Sequence, residues 1–244
     1  YFSRLYEDLP NYWDPSIDYS KYEFEGVKEV NIKQSYAFTS NISVYESCSV
    51  QYKFYKELGF VAVRKGQSMF GSLVHQTIED IHRAALRNEY SSIKDKSIET
   101  WFNLNYNALA RKEHAYLDAG VQNAALRQVK RYVDMQNGDW SRIHAAEVEV
   151  SHVEPKYILT GKVDLIRGNG DTVEIIDFKS EKKPDMELES ERLAHYRKQL
   201  EVYAYIIEKK MNMKVSKMHL YYTGEENGSP WISYDNRRER IDDT

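Results

Sequence analysis

Between Ile158 and Ser180 the sequence reads "ILTGKVDLIRGNGDTVEIIDFKS". Two β-branched apolar runs flank a Gly-Asn-Gly-Asp turn signal, the pattern of two strands joined by a turn. Each run carries an acid where a plain buried strand would carry none: Asp164 in the first and Asp177 in the second, with Lys179 two residues further on. Residues two apart share a face of a strand, so Asp177 and Lys179 point one way while Ile176 and Phe178 point the other. If the two runs pair, Asp164 lies alongside Asp177. Close carboxylates repel unless something positive sits between them, and a hard divalent cation held by oxygen ligands is the natural candidate. A lysine beside that cation can orient a water or steady a developing negative charge. Taken alone, Asp-x-Lys on a strand is most often a solvated face or an ordinary ion pair, so the surrounding elements carry the weight.

Those elements fall into two halves. Thr39 or Ser40 caps an interrupted helix that runs through Ile42, Tyr45, Val50, Tyr52 and Phe54. From Ser68 or Ser72 to Arg87, the residues Phe70, Val74, Ile78, Ile81 and Ala85 recur at helical spacing, and further helical stretches cover 98–117 and 120–136. After Gly138 the period changes. "AAEVEVSHV", "YILTGKVDLI", "TVEIIDF" and "KMHLYYT" read as strands, the first three antiparallel. An amphipathic helix from Glu187 to Lys210, with Leu193, Tyr196, Leu200, Tyr203 and Ile207 on one side, separates the last two. Helices packed over such a sheet make an α/β fold.

Composition narrows the class. The 244 residues are 41% hydrophobic and 30% charged, which fits a globular chain with a real core. No apolar run approaches the ~20 residues that span a bilayer, and the expected setting is the cytoplasm. A formal charge of −4 does not announce a nucleic-acid binder, yet a bound metal and a local basic strip can give phosphate affinity on an acidic chain. Cys48 is the single cysteine, so neither an intramolecular disulfide nor a multi-thiolate metal site can form.

Here the sequence acquires a resemblance. "GKVDLI" followed by "DFKS" resembles the metal-binding aspartate and the (D/E)xK signature of the PD-(D/E)xK nuclease superfamily, specifically its RecB-like branch. That branch also carries Gly-x-x-x-His on an earlier helix, matched by Gly71 and His75 in "GSLVHQTIED". Its Gln-x-x-x-Tyr on the helix after the lysine is matched by Gln199 and Tyr203 in "RKQLEVYAY", and its glutamate on the preceding strand by Glu147, with Glu149 sharing that face. The elements stand in the family's order across Thr39–Thr223.

The resemblance implies a restriction-endonuclease-like mixed sheet flanked by helices, with an N-terminal helical region. It implies a metal site of His75, Asp164, Asp177 and the Phe178 backbone carbonyl, with Lys179 as catalytic lysine alongside Asp164 and Asp177. Gln199 and Tyr203 would face DNA or brace the lysine, and Glu147 is a possible addition. His82 and Glu79 share a helix face with His75 and read as a solvated edge. The cofactor would be Mg²⁺, with Mn²⁺ able to substitute. Iron-sulfur members of the branch need four cluster cysteines, so a chain with one looks like the cluster-free type found at the C-terminus of UvrD-like helicases and in RecB and AddA subunits.

The domain reading that follows makes residues 1–34 an arm or linker from a preceding helicase region and 35–244 the nuclease domain. Within the latter, 35–137 is the helical part, 138–223 the sheet-bearing core and 224–244 a tail. The expected function is metal-dependent hydrolysis of DNA phosphodiester bonds, in single-stranded DNA delivered by a linked helicase in repair or recombination. A catalytically silent module that guides single-stranded DNA is the alternative. Arg127, Lys130, Arg131, Lys182, Lys183, Arg197 and Lys198 are the basic residues available to hold the strand, with Lys182 and Lys183 best placed at the exit of the lysine strand, and Tyr196 and Tyr203 are candidates for stacking on bases.

Overall fold

The computed structural model describes residues 33–60, 66–169 and 172–236. The arm read into residues 1–34 lies outside the described residues except for Lys33 and Gln34. Chain order is β1 (Gln34–Ala37), a π-helical turn (Phe38–Ile42), α1 (Ser43–Ser47), α2 (Ser49–Tyr52), a second π-helical turn (Lys53–Glu57), then α3 (Gly66–Leu86), α4 (Asp95–Glu113) and α5 (Ala119–Gln136). The second half holds β2 (Ile143–Val153), β3 (Tyr157–Asn169), β4 (Thr172–Lys179), α6 (Ser190–Met211), β5 (Lys214–Tyr222) and β6 (Trp231–Asp235).

The sheet is mixed, with order β1-β3-β4-β5-β6 and β2 paired to β3. β2, β3 and β4 are antiparallel, as the alternation predicts, while β4 pairs β5 in parallel across the α6 crossover. Two strands go beyond the sequence reading. β1 stands where a helical region was expected and pairs in parallel with Tyr157–Thr160, and β6 stands in the expected tail and pairs with β5. The first helix also differs. Thr39 and Ser40 lie inside the π-helical turn and do not cap it, the Asn41 side chain accepts from Ala37 N instead, and the chain breaks at Cys48, which is extended.

Each face of the sheet carries its own core. On one, Leu73, Ile78 and Ile81 of α3 pack with α4 and α5 against Leu165, Ile176, Phe178 and Tyr221. On the other, Leu200, Tyr203, Ile206 and Ile207 of α6 pack with Phe38 against Val163, Ile166, Ile175 and Leu220. Burying each such aliphatic side chain contributes ~1.5–3 kcal/mol, enough to fix α3 and α6 rigidly on opposite faces. β4 is apolar on both faces at Ile175 and Ile176, after Glu174, which pairs with Arg167, and Asp177 and Lys179 follow at its end.

Candidate active site

Strand pairing makes a fork at the end of β4. β3 and β4 are in register from Asn169↔Thr172 to Leu165↔Ile176. At the next residue a side chain replaces the main chain, because Asp164 Oδ2 accepts from Phe178 N at 2.7 Å. β2 occupies one edge of β3 along nearly its whole length, so β1 and β4 share the other edge. The stretch 161–164 lies between them, and the candidate residues gather there.

From the α6 side come Asp177, Lys179, Gln199, Tyr203 and Tyr196. Gln199 Nε2 donates to Asp177 Oδ1 at 2.9 Å and lies 3.2 Å from the Tyr203 hydroxyl, the pairing that a four-residue spacing on a helix allows. Asp177 Oδ2 is buried with no hydrogen-bond donor aligned on it, so its charge rests on the Lys179 ammonium 2.7 Å away. Burial alone would depress the Lys179 pKa, but the Asp177 carboxylate outweighs it and holds the ammonium charged, above its usual range. The ammonium also sits 4.2 Å over the Tyr196 ring, whose hydroxyl meets Glu181 and Arg192 at 3.2 Å.

From the α3 side come His75, Glu147 and Asp164, whose ligand atoms all lie within 4.8 Å of one another. His75 Nδ1 is 3.6 Å from Asp164 Oδ2, and its ring meets Phe178 edge-on at 6.3 Å. Glu147 is placed by strain: its φ is +54°, a left-handed value that a non-glycine residue seldom adopts within a strand. The kink turns its carboxylate to the α3 face, where it pairs with Lys162. A cleft of about 400 Å³ lined by Gly71, Ser72, His75, Glu79, Glu147, Lys162 and Asp164 opens over the group.

The electrostatics are those of a cation site. Burial pushes the Asp164 pKa well up, and the Asp177 and Glu147 carboxylates push it further. Burial lowers the His75 pKa and favours neutral imidazole, the form that binds metals. One neutral nitrogen and two mutually repelling carboxylates in a half-buried cleft fit a divalent cation. Gly71, one turn before His75, lets α3 approach the end of β4, since a Cβ there would lie 3.1 Å from Ser180 Oγ.

The structure therefore distributes the expected metal set differently. His75 and Asp164 come together with Glu147 rather than with Asp177, whose oxygens face Gln199 and Lys179. Glu149, which shared a face with Glu147 in the sequence reading, is exposed and lies opposite Lys162 in β3. Glu79 and His82 are not a solvated edge. Glu79 lines the cleft and pairs with Arg83, whereas His82 is buried with Nε2 2.6 Å from the Tyr132 hydroxyl. Tyr203 is too buried, at 3% exposure, to stack on a base. Sequence reasoning missed two contacts. Tyr196, placed on the apolar side of its helix or against bases, holds the lysine, and its spacing of three before Gln199 was the available signal. Lys162 sits two residues before Asp164, where it resembled an ordinary polar strand position.

Most of the basic residues proposed to hold a strand are already engaged. Lys130 pairs with Glu99, Arg131 with Glu226, Arg197 with Glu201 and Lys198 with Glu46, while Lys183 donates to Ser229 O. Arg127 and Lys182 are exposed.

Residues 39–240 match the sequence model of the family described as the PD-(D/E)XK nuclease superfamily. No curated protein matches the chain. Among solved structures, the fold is similar to that of a candidate exonuclease from Eubacterium rectale, with a TM-score of 0.52 at 10% identity over 91% of this chain and 81% of that one. SSO0001 also matches, at 14% identity over 81% of this chain and 80% of its own, with a TM-score of 0.32.

Proposed function

Because the chain belongs to the PD-(D/E)XK nuclease superfamily, we propose that it hydrolyses phosphodiester bonds of DNA at the β3–β4 fork, with single-stranded DNA as the preferred substrate. The observation that carries this reading is the meeting of two groups across that fork. His75, Glu147 and Asp164 form a cation site on one side, and Lys179, fixed by Asp177 and Tyr196, stands on the other.

The residues fit Mg²⁺, with Mn²⁺ as a substitute; His75, Asp164 and Glu147 would hold it, and the motif resemblance adds Asp177 and the Phe178 carbonyl as further oxygens. When bound, such a cation supplies Lewis acidity at the phosphate and neutralises its charge. Lys179 orients the attacking water and stabilises the charge that grows on the phosphoryl oxygens. Asp177 and Tyr196 hold the ammonium in place, and Gln199 holds Asp177. The water oxygen bonds to phosphorus as the bond to the leaving oxygen breaks; the water's proton leaves to solvent, and the leaving oxygen takes a proton from solvent and departs as a hydroxyl. We place the chain in the RecB-like branch, acting on a strand delivered by a linked helicase in repair or recombination, with the residues before β1 as the connecting arm. The nuclease domain starts at Gln34, which the sequence reading gives to the arm and which pairs with Tyr157 in the sheet. The motif order Gly71, His75, Asp164, Asp177, Lys179, Gln199 and Tyr203 supports that placement.

The test is digestion of end-labelled linear and circular single-stranded DNA in Mg²⁺, Mn²⁺ and EDTA. Cleavage that needs the metal and is lost in EDTA is expected. Tight DNA binding with no cleavage in either metal would overturn hydrolysis and leave a strand-guiding module.

A further inference from the structure

Among the described residues, Lys162 alone lines both clefts beside the fork. Its ammonium pairs with Glu147 inside the candidate cation site, yet the side chain is 54% exposed. The cleft of about 400 Å³ holds His75, Glu79, Glu147 and Asp164, and a second of about 420 Å³ lies along the β2–β3 pair, lined by Thr39, Glu149, Ser151, Thr160, Tyr203 and Lys210. Glu149 stands directly across from Lys162 in the β2–β3 register. The lysine is thus a point charge on a long stem, half in solvent, paired with Glu147 and set across the strand from Glu149.

We propose that Lys162 is the resident counter-cation of Glu147, competing with the divalent ion for that carboxylate and passing to a substrate phosphate in the second cleft when the ion binds. The inference rests on the cation site and DNA substrate of the proposed function, and adds a residue and a subsite to them. Its physical basis is charge. The ligand atoms of Glu147 and Asp164 lie within 4.8 Å of each other, and two carboxylates that close favour a positive charge beside them. The ammonium of Lys162 supplies it by pairing with Glu147. A divalent ion between Glu147 and Asp164 repels a lysine at the same carboxylate. The released side chain is long enough to reach the second cleft, where Lys210, Thr160, Ser151 and Thr39 offer the further donors a phosphate diester takes. Cation entry and strand binding would then favour one another, with the lysine leaving one role as it takes up the other.

The experiment uses the whole chain with Lys162→Met, which keeps the aliphatic stem and removes the charge, and Lys162→Arg, which keeps the charge. Titration calorimetry with Mn²⁺ in the absence of DNA should give ~10-fold tighter binding to Lys162→Met, since a competing unit charge at a half-exposed carboxylate is removed. Anisotropy with a labelled single-stranded oligonucleotide in Ca²⁺ should give weaker binding, with the slope of log K against log salt lower by about one, the loss of one phosphate contact. Lys162→Arg should restore the slope. Unchanged Mn²⁺ affinity in Lys162→Met, or an unchanged salt slope, overturns the proposal while the wild type still binds Mn²⁺ and cuts DNA. Absence of any Mn²⁺ binding by the wild type overturns the cation site itself, and with it the proposed function.

Discussion

Tyr203 packs against Gly161 so closely that a Cβ at 161 would stand 2.6 Å from Cε1 and 2.8 Å from Cδ1 of the ring. The contact ties α6 to β3 where β1 and β4 leave its edge open, and it positions the helix turn that carries Gln199. Gly161→Ala must displace a buried aromatic ring, not the end of a flexible side chain. Overpacking of this kind costs ~1–3 kcal/mol. Denaturant unfolding should show that loss, and turnover should fall with it, because Gln199 moves with Tyr203 and holds Asp177. A variant with full stability and full activity would show that the ring moves aside freely.

Lys179→Met should lower turnover by ~10²–10⁴-fold, the range for losing a group that positions or protonates in the transition state. It strands the buried Asp177 carboxylate, which keeps only the Gln199 amide as a partner, so stability should fall as well. Asp177→Ala breaks the same pair from the other side. It strands the Lys179 ammonium, 17% exposed, without its 2.7 Å partner and leaves the Gln199 amide without its acceptor. Both activity and thermal stability should fall, and paired melting and single-turnover measurements on the two variants would separate the two losses.

The pattern of what was legible follows from range. Asp177 and Lys179 could be placed on one strand face, and Gln199 and Tyr203 on one helix face, because those relations need only a period of two or four residues. The relation of His82 to Tyr132 spans 50 residues and lay beyond any local pattern, so a core histidine looked like a surface one. β1 is four residues long and β6 five, too short for alternation to register, and both owe their strand form to a neighbour already in the sheet. The choice between Glu147 and Glu149 turned on a backbone kink at Glu147 that residue types do not announce.

That kink yields the next prediction. Glu147→Gln should weaken Mn²⁺ binding by at least ~10-fold, and His75→Ala likewise, whereas Glu149→Gln should change it little, because only the first two lie in the cation cluster. Calorimetry on the three variants reads the difference directly. Equal effects from Glu147 and Glu149 would move the site toward the second cleft.

Arg131 was grouped with the strand-holding residues, and its contacts assign it otherwise. Nη1 donates to Thr223 O at 3.1 Å and to Glu225 O at 3.3 Å, and Nη2 to Glu226 at 2.8 Å, so the side chain pins α5 to the turn between β5 and β6. Arg131→Met should cost ~1.5–3 kcal/mol of stability, as expected for hydrogen bonds to a charged group. It should leave the salt dependence of DNA binding unchanged. A slope reduced by one with stability intact would return Arg131 to the DNA contacts.

His82 predicts how stability depends on pH. The ring is 1% exposed, among Tyr132, Trp140 and Phe178, and burial lowers its pKa from 6.5 to about 3. The unfolded chain therefore binds a proton at His82 that the folded chain refuses. Its contribution is fully present above pH 6.5 and is lost as pH falls from 6.5 toward 3, with a limiting slope of ~1.4 kcal/mol per pH unit. Asp164 acts in the opposite sense, since its raised pKa means that protonation stabilises the folded state as pH falls. His219, its pKa lowered to about 4, and His75 act in the same sense as His82, so the wild-type curve alone is a sum over these groups. His82→Gln removes one contribution and keeps a side chain able to bond the Tyr132 hydroxyl. Urea unfolding at pH 7.5 and pH 5 should show wild type losing more stability than His82→Gln across that interval. Equal losses would mean that His82 takes up its proton in the folded protein, which the apolar walls around it and the single hydroxyl partner argue against.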